Sequence, residues 1–255
     1  MKEVAITISW DDNHSKNLKL VKLLNKYNLK GTFYLYKAQD INQSKNDIIK
    51  ISLSQEIGSH SLTHSDLTGV NLKQAKKEIL GSKEWLETLI NKPVKVFAYP
   101  FGFYDDQVKK IVKQSGFISA RTARSFNHQC PKDFFAWHPT IQIYPYPFRK
   151  RNDRTMHWSS HLLDPLWHNF FGFIGWHLPI TAYLNWISLA KATFDHVYKN
   201  GGTWHLWGHC YEVEKYNMWQ DLEEIFSYIS NRKNIFYLTN GQLFDKLYHK
   251  NYVKK

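Results

Sequence analysis

Two histidines four residues apart, His60 and His64, are the residues of this chain best suited to bind a metal ion. They follow Glu56–Ser59, a short predicted strand that opens into a loop or a first helical turn. At this separation both imidazoles can reach one ion, and borderline metals such as zinc accept such ligands. Two histidines leave a metal site short of a ligand, so we expect a carboxylate from elsewhere in the chain.

Adjacent aspartates near the N-terminus supply that carboxylate. The β-rich run Ile6–Trp10 ends in Asp11 and Asp12, and a loop at the end of a strand could direct both into one pocket. Two histidines at this spacing give many false matches when taken alone. Together with a strand-terminal pair of aspartates, they predict a metal site.

Length and composition indicate one folded domain over residues 1–255. Of the 255 residues, 43% are hydrophobic and 16% are aromatic, which is enough to build a core and excludes a disordered chain. The two cysteines, Cys130 and Cys210, show no disulfide pattern. The first residues lack the apolar stretch of a secretory signal, so we expect a cytoplasmic protein.

The formal charge of +12 has two interpretations. Lysines scattered along the predicted helix faces favour a solvated surface. The alternative is attraction to an anionic partner, namely a phosphate-bearing substrate, a membrane surface or a nucleic acid. The sequence contains no nucleic-acid recognition motif, so we expect no nucleic-acid partner.

Strand and helix patterns alternate along most of the chain, which is typical of βα units around a parallel sheet. The clearest helix is predicted at Leu72–Ile90, with Asn71 as its N-cap. The alternation stops between about residues 124 and 183, where prolines and aromatic residues predict an irregular insertion. Polar residues fall at the predicted strand ends, which line one mouth in a β/α barrel.

These strand-end segments resemble the motifs of the polysaccharide deacetylase superfamily, carbohydrate esterase family four with its NodB-homology domain. Ser9-Trp10-Asp11-Asp12 is similar to the first motif, and His60-Ser61-Leu62-Thr63-His64 to the second. Phe97–Gly102 resembles the third motif and Leu206–His209 the last. The resemblance covers about residues 4–122 and 200–240, with the motif order preserved. It implies an α/β fold, a deformed (β/α)7 barrel.

The resemblance also implies roles for individual residues. Asp12, His60 and His64 would bind one divalent ion, Zn²⁺ or else Co²⁺, Ni²⁺ or Mn²⁺. Asp11 would be the general base that takes a proton from water, and His209 the general acid that protonates the leaving amine. The backbone N–H near Phe101 would stabilise the oxyanion. The substrate-binding residues would be Tyr99, Pro100, Phe101 and Trp207.

Two residues depart from the family pattern. Ala98 stands where the third motif usually carries an arginine that steadies the base, and we expect Arg121 or Arg124 to supply the guanidinium instead. Asn13 stands where the first motif has a glycine. Asparagine tolerates the left-handed conformation, so the turn can be retained.

The last motif leaves alternatives open for three residues. Trp207 could stack on a sugar ring or could be a core residue. Gly208 is expected to end the strand. His205 is expected to be a packed neighbour of the site and not a second metal ligand.

We therefore predict a metal-dependent N-deacetylase of an N-acetylated sugar, with a nucleotide- or lipid-linked precursor of surface polysaccharide as its substrate. The basic run Arg149–Arg151 and the aromatic residues 158–186 could contact a phosphate-linked sugar or a membrane surface, or could be a solvated run beside a packed lid. The alternative functions are a hydrolase of another linear or cyclic amide and an inactive carbohydrate-binding protein, which Ala98 suggests.

Overall fold

One parallel sheet brings the strand-end residues together. The computed structural model describes residues 3–37, 43–125, 127–129, 131, 133–145 and 175–249, and these ranges contain eight strands. The strands are β1 (Val4–Asp11), β2 (Gly31–Leu35), β3 (Glu56–Ser59), β4 (Val96–Ala98), β5 (Ser119–Arg121), β6 (Ile141–Gln142), β7 (Gly202–His209) and β8 (Ile235–Tyr237). Seven follow one another in the order β5-β4-β3-β2-β1-β7-β6, and β8 pairs with β1. Because all of these pairings are parallel, the carboxyl ends of the strands share one edge.

Strand β1 is central to the sheet and buried over its whole length. Its sequence, VAITISWD, is rich in apolar and β-branched residues, as expected for a strand covered on both faces. Strand β7 pairs with it from Val4 to Asp11, while β2 pairs with its carboxyl half and β8 with its amino half. Asp11 therefore lies in the middle of the edge, between β7 and β2.

Helices cover the sheet and complete the main hydrophobic core. They are α1 (Asn17–Lys26), α2 (Lys45–Ser52), α3 (Leu72–Ile90), α4 (Asp106–Gln114), α5 (Trp186–Asn200), α6 (Cys210–Lys215), α7 (Trp219–Ile229) and α8 (Asn240–Tyr248). Short 3-10 turns occur at Pro100–Gly102 and Ile180–Tyr183. The predicted bounds of α3 are confirmed, and the Asn71 side chain accepts a hydrogen bond from the Gln74 N–H as its N-cap.

Successive residues of β1 lie in two different environments. The even-numbered residues from Val4 to Trp10 belong to the main core. Ser9 instead makes a buried hydrogen bond of 2.8 Å with His205 of β7. Because side chains alternate along a strand, Asp11 continues this second, polar series and lies inside the curve of the sheet.

Residues 134–143 link the two ends of the curled sheet. Trp137 forms a parallel bridge with Arg121 of β5, and β6 pairs with β7 at the other end. The sheet therefore forms a curled half-barrel with its helices outside. The predicted α/β class, a deformed (β/α)7 barrel, is confirmed.

Two local predictions are wrong. Gly208 does not end the strand, because β7 continues to His209 and Gly208 is aligned with Trp10. A Cβ at Gly208 would lie 2.2 Å from the Ile143 side chain, so glycine permits this close packing. The left-handed residue of the first motif is Asp12, with φ of 68°, and not Asn13, whose side-chain oxygen accepts from the backbone N–H of Tyr36.

The predicted insertion is described only in part. Its described portions include β6 and the 3-10 turn at Ile180–Tyr183. Residues 146–174, which contain Arg149, Lys150, Arg151 and most of the aromatic run, lie outside the described residues. The role predicted for that run stays a prediction.

Candidate functional site

Asp12, His60 and His64 converge at the carboxyl edge of the sheet. Nε2 of His64 lies 3.6 Å from Oδ1 of Asp12, and Nε2 of His60 lies 3.9 Å from the same oxygen. One potential ligand atom from each residue lies within 4.8 Å of the others, and no second group of this kind occurs in the described part of the chain. Nitrogen and carboxylate atoms at this spacing can share one ion.

Two of these residues, and one residue between the histidines, have backbone conformations that are rare outside glycine. The angle φ is 68° at Asp12 and 57° at His64, and it is 61° at Ser61 in the loop between the histidines. A non-glycine residue in this region costs roughly 1–3 kcal/mol and persists where its surroundings fix it. We therefore expect contacts with the rest of the fold to hold the His60–His64 loop in this conformation.

Glu78 of α3 anchors this loop. Its carboxylate is buried and accepts hydrogen bonds from the backbone N–H groups of Leu62 at 3.0 Å and Thr63 at 2.8 Å. It also accepts from the hydroxyl of Thr63 at 3.0 Å. The sequence analysis missed Glu78, although a carboxylate in the buried stripe of an amphipathic helix was an available signal.

The hydrogen bond of His60 and the pKa of His64 both suit the binding of a cation. Nδ1 of His60 donates to the carbonyl of Ala98 at 2.8 Å, which leaves Nε2 as the ring nitrogen that faces Asp12. Burial, together with the neighbouring charge of His60, lowers the pKa of His64 to about 4, so its ring is neutral. Oδ1 of Asp12 is buried with no hydrogen-bond partner among the described residues. The neutral imidazole of His64, the Nε2 atom of His60 and an unpaired carboxylate oxygen of Asp12 fit a divalent ion.

Asp11 lies beside the three candidate metal ligands but forms an ion pair with another residue. The guanidinium of Arg121 forms a buried ion pair with Oδ2 of Asp11 and donates to the carbonyl of Thr122 at 3.0 Å. Burial alone would raise the pKa of Asp11, but Arg121 and then His60 and His209 hold it below its ordinary value. The carboxylate is therefore ionised at neutral pH. Its Oδ1 is buried and has no hydrogen-bond partner among the described residues.

Arg121 stands next to the position where the family arginine is missing. Ala98 and Arg121 are register partners on the neighbouring strands β4 and β5, so the guanidinium reaches Asp11 from one strand further along the sheet. Arg124 is exposed, and its charge acts on His138. Of the two candidate arginines, the structure brings Arg121 to Asp11.

His209, at the end of β7, faces the three candidate metal ligands. Its Nε2 lies 4.0 Å from Oδ2 of Asp12, and its Nδ1 lies 2.7 Å from Oε2 of Glu212 in α6. Burial alone would lower the pKa of His209, but the hydrogen bond to Glu212 and the charges of Asp11, Glu212 and Asp12 raise it above its ordinary value. The sequence analysis missed Glu212, which follows His209 by three residues and could have been found from that spacing.

The third-motif residues predicted to bind substrate have different degrees of exposure. Tyr99 is buried, and its hydroxyl donates to the carbonyl of Phe135 at 2.9 Å. Pro100 is also buried and begins the 3-10 turn. The side chain of Phe101 is 56% exposed, and its ring centroid lies 4.6 Å from that of His64. Phe101 is therefore the one of these three whose side chain is open to a ligand.

Two residues of β7 lie deeper in the curl of the sheet. Trp207 is only 6% exposed, and the guanidinium carbon of Arg121 lies 4.8 Å from its ring centroid. This position lets Trp207 support Arg121 more readily than it lets the ring face a sugar. His205 contacts Ser9 and stacks on Trp137 at 4.4 Å, so it is a packed neighbour of the site as predicted.

The first part of the chain is similar to a known protein family. Residues 1–120 match the family model described as Polysaccharide deacetylase. This match covers a little under half of the chain. The matched part contains Asp11, Asp12, His60 and His64, whereas Arg121 and His209 follow it.

Individual relatives are similar to parts of the chain. The protein YxkH of Bacillus subtilis (strain 168), which carries the name of a polysaccharide deacetylase, is 23% identical over 122 residues, covering 45% of this chain and 43% of that protein. A bifunctional xylanase/deacetylase of Pseudobutyrivibrio xylanivorans is 29% identical over 99 residues, covering 38% of this chain and 16% of that protein. The chain thus aligns with less than half the length of these curated relatives.

A solved structure shares the fold over nearly the whole chain. The crystal structure of a Mycobacterium smegmatis protein, also named as a polysaccharide deacetylase, superimposes with a TM-score of 0.71 and 16% identity, covering 98% of this chain and 91% of that one. At this identity the likeness concerns the fold. Within the described ranges, none of the helices has both the length and the apolar character needed to cross a membrane.

Proposed function

We propose that the protein is a metal-dependent N-deacetylase that hydrolyses the acetamide of an N-acetylated sugar. The arrangement of a base and an acid around the metal donors carries this proposal. Oδ2 of Asp11 lies 4.0 Å from Nε2 of His60, and Nε2 of His209 lies 4.0 Å from Oδ2 of Asp12. Amide hydrolysis needs one group to take a proton from water and another to give a proton to the leaving nitrogen.

Asp11 is proposed as the base. A divalent ion held by Asp12, His60 and His64 would polarise the acetyl carbonyl and lower the pKa of water. Asp11 takes a proton from the water whose oxygen adds to the acyl carbon. Arg121 keeps Asp11 ionised and occupies Oδ2, which leaves Oδ1 for the proton.

His209 is proposed as the acid. Its Nδ1 is held by Glu212, so Nε2 is the nitrogen that faces the donors and can release a proton. When the carbon–nitrogen bond breaks, His209 protonates the amine, and acetate and a free amino sugar leave. The backbone N–H of Phe101 is the proposed donor to the oxyanion. The proton gained by Asp11 and the proton lost by His209 balance over the reaction.

The proposal also names a particular metal ion and a particular class of substrate. Zinc is the proposed ion, with cobalt, nickel and manganese as alternatives, because two imidazoles and one carboxylate suit these metals. A nucleotide- or lipid-linked precursor of surface polysaccharide and a peripheral membrane contact rest on Arg149–Arg151 and their aromatic neighbours, outside the described residues. Both stay predictions.

An inactive carbohydrate-binding protein is the main rival, because Ala98 lacks the guanidinium of the family motif. The ion pair between Arg121 and Asp11 supports an active site, since it supplies the same charge beside the base. A hydrolase of another linear or cyclic amide would use the same groups and differ only in its substrate.

Acetate release tests the proposed activity. The protein is stripped with a chelator, reloaded with zinc and incubated with N-acetylglucosamine, its β-1,4-linked disaccharide and its uridine diphosphate derivative. We expect acetate and free amine in equal amounts from at least one substrate, and their loss without zinc. Fully loaded protein that releases no acetate from these sugars would contradict the proposal, and hydrolysis of a non-sugar amide instead would favour the rival hydrolase.

A further inference from the structure

Asp12 leaves the extended path of β1 at the end of that strand. Side chains alternate along a strand, and the even-numbered residues from Val4 to Trp10 belong to the main core. An extended Asp12 would continue this even series, away from the interior where Asp11 lies. With its left-handed φ of 68°, its Oδ1 instead lies 3.9 Å from Nε2 of His60. The left-handed step therefore places the two adjacent aspartates in one pocket.

Hydrogen bonds hold both ends of the Asp12 backbone. Its N–H donates to the carbonyl of Tyr34 in β2 at 3.1 Å. Its carbonyl accepts from Nδ2 of Asn17 in α1 at 3.0 Å. A strained conformation persists only where the surroundings enforce it, and here one of the two enforcing contacts comes from a side chain.

Asn17 is a polar residue at a position that suits an apolar one. It begins α1, has no exposed surface and lies on the buried side of the helix with Leu20 and Leu24. Its Oδ1 is buried with no hydrogen-bond partner among the described residues, a cost that an apolar side chain would avoid. Its amide nitrogen donates outside the helix, to Asp12 and to Gln43. An apolar residue could not make these two contacts.

Gln43 holds Asn17 in turn. It precedes α2 and is 4% exposed. Its Oε1 accepts from Nδ2 of Asn17 at 3.1 Å and from the backbone N–H of His14 at 3.3 Å. Its Nε2 is buried and has no hydrogen-bond partner among the described residues, so the oxygen alone holds the loop. We call Asn17 and Gln43 the amide clamp.

The amide clamp acts on a candidate ligand through its backbone. Resting on the metal site of the proposed function, we propose that Asn17 and Gln43 are positioning residues that turn Asp12 towards His60 and His64. Without the clamp the Asp12 backbone can relax towards the extended form, which would carry its carboxylate away from the two imidazoles. Metal affinity should then fall although all three ligands remain.

Four substitutions separate positioning from folding. Asn17→Leu removes the amide and places an apolar side chain on an apolar stripe. Gln43→Met removes the acceptor oxygen at similar size, whereas Gln43→Glu keeps an acceptor oxygen and loses only the unused Nε2. Asn240→Leu is the matched control, since Asn240 is the other fully buried asparagine of the described ranges. It donates to the hydroxyl of Tyr34 at 2.8 Å from the start of α8.

The test measures zinc affinity by competition with a fluorescent chelator, beside the thermal unfolding of each metal-free variant. Asn17→Leu and Gln43→Met should weaken zinc binding by about tenfold, as loss of a group supporting a ligand does. Gln43→Glu should not weaken it, and Asn240→Leu should match wild type. The visible spectrum of cobalt-loaded protein reports ligand geometry, so it should change in Asn17→Leu and not in Asn240→Leu.

The outcomes separate this inference from the proposed activity. Wild type that binds no zinc would contradict the metal site and the clamp together. Zinc affinity unchanged in both Asn17→Leu and Gln43→Met would overturn the clamp alone, and Gln43→Met decides if Asn17→Leu does not fold. Equal losses in Asn17→Leu and Asn240→Leu would show general destabilisation and also overturn it. Clamp-dependent zinc binding without acetate release by wild type would support the clamp and contradict the deacetylase.

Discussion

Asp11 and Asp12 are neighbours in the chain with different surroundings. Asp11 ends β1 inside the curl of the sheet, where Arg121 pairs with it. Asp12 takes a left-handed conformation and turns towards the two histidines. The carboxylate of Asp11 is therefore paired with the guanidinium of Arg121. The Oδ1 atom of Asp12, the next residue, has no hydrogen-bond partner among the described residues. This difference supports a base at Asp11 and a metal ligand at Asp12.

Replacing Arg121 should affect both stability and turnover. Arg121→Ala leaves Asp11 as a buried, unpaired charge, which costs about 3–5 kcal/mol in the free energy of unfolding. We also expect kcat to fall by roughly tenfold to hundredfold, because the base loses its orienting partner. Urea denaturation and initial rates measure the two effects. Arg124→Ala is the matched control, and an effect confined to Arg124→Ala would show that the guanidinium was assigned to the wrong arginine.

Glu212 should set the alkaline limit of activity. His209 must be protonated to act as an acid, so activity is lost as the pH rises through the pKa of His209. The hydrogen bond and negative charge of Glu212 raise that pKa. Glu212→Gln should therefore move the alkaline limb of the kcat profile to lower pH. An unchanged limb, measured at constant zinc occupancy, would remove Glu212 from this role.

At the scale of elements, α3 fixes the loop that carries two of the three candidate ligands. One carboxylate, that of Glu78, accepts both backbone N–H groups at the middle of the loop. The loop cannot rely on intrinsic preference, because Ser61 and His64 both have positive φ. The helix therefore contributes to metal affinity without touching the ion.

Glu78→Ala should weaken metal binding while leaving all ligands present. Loss of such a supporting group costs about tenfold to hundredfold in metal affinity. Glu78→Gln, which keeps one acceptor oxygen, should fall between Ala and wild type. Competition with a fluorescent zinc chelator gives the affinities. Glu84→Ala, on the exposed side of the same helix, is the control. Unchanged zinc affinity in Glu78→Ala would show that the loop holds its shape without this anchor.

At the scale of the whole molecule, the sequence predicted the layout of the sheet better than the contacts within it. The strand at Glu56–Ser59 and the helix at Leu72–Ile90 were predictable because hydrophobic periodicity and a cap define them locally. The convergence of Asp12, His60 and His64 followed from strand ends that share one edge. Glu78 was not predictable in the same way, because its partners lie 15 and 16 residues away. Gly208 was misread because its close packing on Ile143 is a tertiary contact.

Metal binding should stabilise the whole fold, since the ligands come from loops after β1 and β3. An ion that binds only the folded state at hundredfold excess over its Kd adds about 2.7 kcal/mol. For a chain of this size that corresponds to a rise in Tm of roughly 5–10 °C. Calorimetry with and without zinc measures the shift. The double variant His60→Ala/His64→Ala should show none, and a full shift in that variant would place the ion elsewhere.

The measurement that tests the central claim most directly compares Asp11→Asn with Asp12→Ala. Zinc content and acetate release are determined on the same preparations, with Asp106→Asn, a surface carboxylate whose side chain is 94% exposed, as the control. We predict that Asp11→Asn keeps about one zinc per chain and loses turnover by roughly a hundredfold or more, as expected for a general base. Asp12→Ala should lose the zinc itself. If Asp11→Asn emptied the site while Asp12→Ala stayed loaded, the assignment of base and ligand would be contradicted.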